Sequence, residues 1–143
     1  MNNSVKTNKT TSKKYKLTDE TIEFYGFELH RIQALIDFSD VKAGDLGGWI
    51  WKEDNLSQSG DAWVYDNAKV CGNAWVYDNA KVCGNAEVSG DAWILNNAKV
   101  CGKAIVIGDA KVYGNAEVGG NAKVYRNAEV GGNAMVGGKS VIG

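Results

Sequence analysis

The sequence predicts an all-β solenoid of triangular 18-residue coils, closed at its N-terminal end by a β-hairpin cap. Three observations carry that expectation. The 143 residues contain 18 glycines and no proline, where ordinary usage would place about seven prolines. From Gly60 to Gly143 the chain divides into fourteen six-residue units without an insertion, from GDAWVY and DNAKVC to GNAMVG and GKSVIG. The fifth position of every unit is Val or Ile. Fixed columns at a fixed short period are the mark of a solenoid.

Each column has a physical role. A Val or Ile at the fifth position suits a short strand with its branched side chain turned inward. The fourth and sixth side chains then point outward, because strand residues alternate. The third position is Ala in thirteen units and Ser140 in the last, a small residue for an inner corner. The second is Asn or Asp in twelve, with Lys103 and Lys139 as exceptions. Gly or Asp followed by Asn is expected to make the bend, since Gly and Asn tolerate positive φ. Three sides make one coil, so fourteen units make nearly five coils at a spacing of about 4.8 Å. Proline would remove a donor from such a ladder.

The columns V-x-[GD]-[ND]-A-x resemble the hexapeptide repeat of the left-handed parallel β-helix superfamily, and the resemblance spans residues 60–143. It implies left-handed coiling, against the usual right-handed crossover preference. The segment HRIQALIDFSDVKAGDLGGWIWKEDNLSQSGDAWVYDNA is also similar to the start of YdcK-like β-helix proteins and their short relatives in bacterial and prophage genomes. That likeness implies an architecture and little established activity.

Ahead of the repeat, residues 1–14 are polar and basic and are expected to be a disordered tail. Residues 15–59 are expected to form the β cap and a degenerate first coil. TIEFYGFELHRI reads as a hairpin around Tyr25–Gly26, QALIDF as a continued extended run, and Trp49, Ile50 and Leu56 as inward residues of the irregular coil. No apolar run reaches membrane-spanning length, and the N-terminus has no apolar signal core. Three cysteines without secretory context favour free thiols and a cytoplasmic location.

An enzyme is not expected. The acyltransferases of the left-handed β-helix superfamily use a catalytic His and inserted loops, whereas this chain has one His, His30, and no insertion among its hexads. His30, in the alternating ELHRI stretch, reads as a strand histidine. Neither catalytic residues nor metal ligands are assigned, and no cofactor is expected. Cys83 and Cys101 share the sixth column 18 residues apart, which puts their Cα atoms about 4.8 Å apart on adjacent coils, within disulfide range. Their bland role is as two of the several residues that this column accepts. Cys71 falls on another face.

Unrolling by 18 gathers Trp75, Tyr77, Trp93, Leu95 and Tyr113 on the third face. Outward aromatics of this number present on the order of several hundred Å² of apolar surface, the size that marks an interface. Three occupants stay open: a protein partner, a second copy of the chain, or the cap residues Phe24, Phe27 and Leu29 folded over it. The last coil leaves an open edge with core positions Ala134, Val136 and Ile142, so a homo-oligomer through residues 126–143 is expected. A net charge of −1 in mixed rows gives no case for a nucleic-acid or membrane surface. The leading expectation is a non-catalytic protein-binding module. In its concrete version, suggested by the prophage relatives, it is a phage accessory protein that sterically inhibits a host defence enzyme. The alternative is a self-assembling structural solenoid, and a hexapeptide-type acyltransferase comes last.

Overall fold

The computed structural model describes residues 13–143. Each hexad contributes one two-residue strand, from Trp63–Val64 to Val141–Ile142, and every third strand falls in the same parallel sheet. The first face holds the strands that begin at Trp63, Lys81, Lys99, Glu117 and Met135; the third holds those at Trp75, Trp93, Lys111 and Glu129. Register is column on column, with Trp93 opposite Trp75 and Ile94 opposite Val76. The molecule is a parallel β-solenoid with 18-residue coils.

The corners refine the sequence reading. All fourteen first-position residues are left-handed, with φ between 57° and 72°, including Asp66, Asp78, Asn96 and Arg126. The Asn that follows is not left-handed, so the bend belongs to the first column and not to the Asn column. The Asn backbone N–H instead donates to the next coil, as from Asn97 to Gly114 O at 2.9 Å. Its side-chain amide joins a ladder through Asn79, Asn97, Asn115 and Asn133, with steps of 3.5, 3.3 and 3.3 Å. The third-position N–H closes the turn, as from Ala98 to Leu95 O at 3.2 Å. The fourth- and sixth-position N–H groups reach up again, Lys99 to Ala116 O at 3.0 Å and Cys101 to Val118 O at 2.9 Å.

Gly102 tests the corner geometry. Its φ is +68°, and a Cβ there would stand 2.9 Å from Gly120 N on the next coil. Gly102→Ala is therefore expected to cost about 1–2 kcal/mol for the left-handed backbone alone, with the backbone contact adding to it. Urea unfolding at an unchanged β-type circular dichroism spectrum measures the loss; equal midpoints would refute this reading of the corner.

Inside, the fifth-position Val and Ile residues are buried from Val64 to Val130, and the third-position alanines from Ala62 to Ala122. Burial ebbs in the last coil, where Val136 and Ile142 are half-exposed.

The cap consists of β1 (Tyr15–Phe24), β2 (Phe27–Ala34) and β3 (Leu46–Ile50). Tyr25 and Gly26, at φ 50° and 85°, form the expected two-residue hairpin turn, whose paired left-handed residues match strand twist. β3 runs parallel to Lys69–Val70 and antiparallel to β2, so the cap extends the second face in plane into an eight-stranded sheet. Gly48 lets β3 sit close to the first coil, since a Cβ there would stand 2.6 Å from Ala68 O.

Three expectations for the cap change, and one of the three open occupants of the third face is removed. QALIDF is not one extended run: β2 ends at Ala34, the chain bends at Leu35 and Ile36, and Phe38 bridges back to Val41 across a tight turn. Ile50 and Leu56 join the solenoid core, but Trp49 packs in a separate cluster with Leu29 and Cys71, under the Arg31 guanidinium 4.3 Å from its ring. The expected tail, residues 1–14, lies outside the described residues except for its last two. Of these Lys14 is buried, its ammonium donating to Ala62 O at 2.7 Å and Gly60 O at 3.2 Å over the Phe38 ring. Burial pushes that ammonium down to about 8, and the nearby Asp61 opposes the shift. The cap hairpin does not cover the third face, because Phe24, Phe27 and Leu29 pack beside Trp49, Trp51 and Cys71.

Candidate interaction surface

The register of the third face aligns the strands that carry the five residues assigned to it, and three of them, Trp75, Tyr77 and Trp93, form a ring cluster. Trp75 stacks on Tyr77 at 3.9 Å between ring centroids, and Trp93 meets both edge-on, at 6.1 Å from Trp75 and 6.3 Å from Tyr77. The strand register makes this cluster: Trp75 and Trp93 are direct neighbours in the fourth column, and Tyr77 is two residues along the same strand side. Both tryptophans keep 39% of their surface exposed. Leu95 is half-buried beside them.

Tyr113 is not part of the ring cluster. A Cβ on Gly131 would run into its ring, so the phenol lies over that glycine on the following coil, away from Trp93. The space above Trp93 is taken instead by Lys111, whose ammonium sits 5.0 Å from the indole centroid, a cation–π contact.

Sequence reasoning missed the contribution of the cap. Lys52 and Asp54 from the irregular segment, with Asn73 from the third hexad, join Trp75 and Trp93 around a shallow cleft of about 410 Å³. Lys52 is held there by Asp54 at 4.0 Å and by the Asn73 amide oxygen at 3.5 Å. No periodicity in the irregular segment indicates that its charged turn stands next to the first exposed tryptophan. The cleft therefore joins stacked aromatic rings to a lysine, an aspartate and an amide, which suits a partner with both an apolar and a polar edge.

Two further apolar areas are exposed. Ile105, Ile107, Tyr125 and Val141 line a cleft of about 340 Å³ with Lys123 on the second face. In the last coil Met135 is 79% exposed, and its neighbours Ala134, Val136 and Ile142 are half-buried. The residues assigned to self-association thus lie together, with more apolar surface around them than the sequence assigned.

His30 sits on β2, half-buried, with Nδ1 3.0 Å from Thr18 O. It is opposite Ile50 in the sheet. Cys83 and Cys101 are joined by a disulfide across adjacent coils, at a Cα separation of 4.5 Å. That differs from the expectation of three free thiols, and only Cys71 is unpaired.

These features define a parallel β-solenoid with an aromatic face at its capped end. No family model matches the chain, and no curated protein matches it.

Proposed function

We propose that this chain is a non-catalytic member of the left-handed hexapeptide-repeat β-helices that works by binding another protein through its third face. The observation that carries the reading is the exposure of Trp75 and Trp93 in mutual contact on a rigid sheet. Trp and Tyr dominate interface hot spots because they bring large contact area at little entropic cost. The edge supplied by Lys52 and Asp54 adds the polar rim that such interfaces have. The concrete version, supported by resemblance to short YdcK-like prophage proteins, is a phage accessory protein that blocks a host defence enzyme sterically in the cytoplasm.

The double variant Trp75→Glu and Trp93→Glu tests it. Protein captured from the native host by the wild-type chain is expected to be lost from the variant, at least a hundred-fold in affinity on the order of hot-spot losses, with circular dichroism unchanged. Equal capture by the variant overturns the reading.

A second reading, a self-assembling solenoid, rests on the exposed Met135 and Val141 flanking half-buried Ala134, Val136 and Ile142. Met135→Lys is then expected to convert an oligomer to a monomer in sedimentation velocity. A wild-type chain that is monomeric at all concentrations rejects it.

A further inference from the structure

The first face carries a pair of cysteines on adjacent coils, away from the aromatic cluster. The sequence NAKVC occurs three times, ending at Cys71, Cys83 and Cys101, and only the last two are spaced by one full coil. Strand register sets Lys99 over Lys81 and Val100 over Val82, which brings Cys101 over Cys83 with 4.5 Å between their Cα atoms.

The two rungs do not depend on the sulfur bond for their position. Lys81 N–H donates to Ala98 O at 3.0 Å, Cys83 N–H to Val100 O at 2.9 Å, and Asn85 N–H to Gly102 O at 2.7 Å. Val82 and Val100 are fully buried beneath them. The ends of the 18-residue loop are therefore held together by the ladder as well as by the sulfur bond. A disulfide's chain-entropy effect lies in the unfolded state; in the folded molecule the ladder bonds hold the two rungs side by side.

Both sulfurs face a cleft of about 330 Å³, shared with Asp40, Tyr65, Asp66, Lys81 and Lys99. Tyr65 donates to Asp40 at 2.8 Å and closes one end. Lys81 and Lys99 stand two residues before each cysteine on the same outward side, about 7 Å along the strand. The thiolate is the attacking species in exchange, and positive charge beside a cysteine favours it; here the two lysines are set against the Asp40 and Asp66 carboxylates of the same cleft, and the Lys81 ammonium lies 5.9 Å from the Tyr65 ring. Cys71 has the opposite setting: it is buried with Leu29 and Trp49, and burial, followed by Glu87, pushes its thiol up to about 11.

We propose that Cys83 and Cys101 form a thiol–disulfide exchange site that reacts with low-molecular-weight disulfides of the glutathione type. In the forward direction one cysteine thiolate attacks a sulfur of the small disulfide, whose S–S bond breaks and releases one small thiolate to take up a proton. The second cysteine thiolate then attacks the protein sulfur of the mixed disulfide, forms the Cys83–Cys101 bond and releases the second small thiol. The protein dithiol loses two electrons and two protons, and the small disulfide gains both. Excess small thiol runs the sequence backwards.

The test uses the full chain equilibrated in buffers of varied glutathione to glutathione disulfide ratio, quenched with acid, denatured and alkylated, and weighed by mass spectrometry. The expected result is a change from three alkylated thiols to one as the ratio falls, both thiols disappearing together, with the β-type circular dichroism spectrum equal in the two forms. Cys83→Ser and Cys101→Ser are each expected to raise the fraction carrying a stable glutathione adduct about ten-fold or more, because the second sulfur that resolves the adduct is gone. If either variant fails to fold, the wild-type thiol count decides alone. Retention of three thiols throughout, stable adducts on the wild type, or loss of β structure on reduction would each overturn the proposal.

Discussion

Replacing Asn55 by leucine is expected to destabilise the capped end by about 3–5 kcal/mol, although the side chain keeps the same branching pattern. Asn55 is wholly buried at the end of a 3₁₀ turn over Glu53–Asn55. Its Oδ1 accepts from the Trp51 N–H at 3.1 Å and the Lys52 N–H at 2.9 Å. Its Nδ2 donates to Gly72 O at 3.1 Å and Ala74 O at 2.9 Å. The amide thus serves two donors of the irregular coil and two acceptors of the first corner above it. Leucine would leave all four unpaired, and each buried group without a partner costs about 1–3 kcal/mol; water reaching the partly exposed Trp51 and Lys52 limits the sum. Urea unfolding followed by tryptophan fluorescence gives the total, and hydrogen exchange at Trp51 and Lys52 localises it. A loss below about 1 kcal/mol would show that other groups replace the amide.

The second large effect concerns the seal between the cap and the first coil. Trp63→Ala is expected to cost about 3–5 kcal/mol, the range for removing a buried large aromatic. Trp63 occupies a fourth-column position, outward by parity, yet it is almost completely buried. Tyr15 meets it edge-on at 6.0 Å and Phe38 at 5.2 Å. Tyr15 is itself anchored, its hydroxyl donating to Leu56 O at 2.6 Å, and burial, then Glu53 and Asp54, raises that phenol well above its usual range. Because coils contact only their neighbours, damage at this seal is expected to release the cap while the distal coils hold. Limited proteolysis between residues 35 and 46 should then outpace cleavage within residues 100–130, and Trp63→Phe should recover more than half of the loss. Uniform melting of all coils in Trp63→Ala would contradict the local model.

The contrast between these two sites and the repeat explains what a single sequence displays. From Gly60 onward, parity and period suffice: Val76, Ile94 and Val112 point inward because their column does, and Trp75 meets Trp93 because 18 residues separate them. The pairing of Cys83 with Cys101 follows from the same spacing, although spacing alone does not say whether the sulfurs bond. In the cap there is no column to consult. Asn55 looks like any turn asparagine, Lys14 like part of a basic tail, and Trp49 like a core residue, since each is placed by contacts with residues far along the chain that follow no fixed period. The cleft beside Trp75 is half legible for the same reason, its aromatic wall being periodic and its Lys52–Asp54 wall not. Tyr113 shows a finer limit. Its column places it on this face, but the space over Gly131 on the following coil takes its ring, apart from the tryptophans.

The left-handed corner at every sixth residue makes the solenoid a rotary index. Each hexad turns the chain by one side, so a side chain's face depends only on its position counted in remainders of 18. Insertion or loss of a single hexad near residue 84 would still leave a left-handed residue at every corner and Ala, Val or Ile at every core position. It would also rotate all later residues by a third of a turn, separating Trp93 from Trp75 and Cys101 from Cys83 at once. Loss or gain of a whole coil would keep every face in phase and change only the length. Drift in repeat number can therefore preserve the surface chemistry of this chain in steps of three units, and scrambles it in steps of one or two.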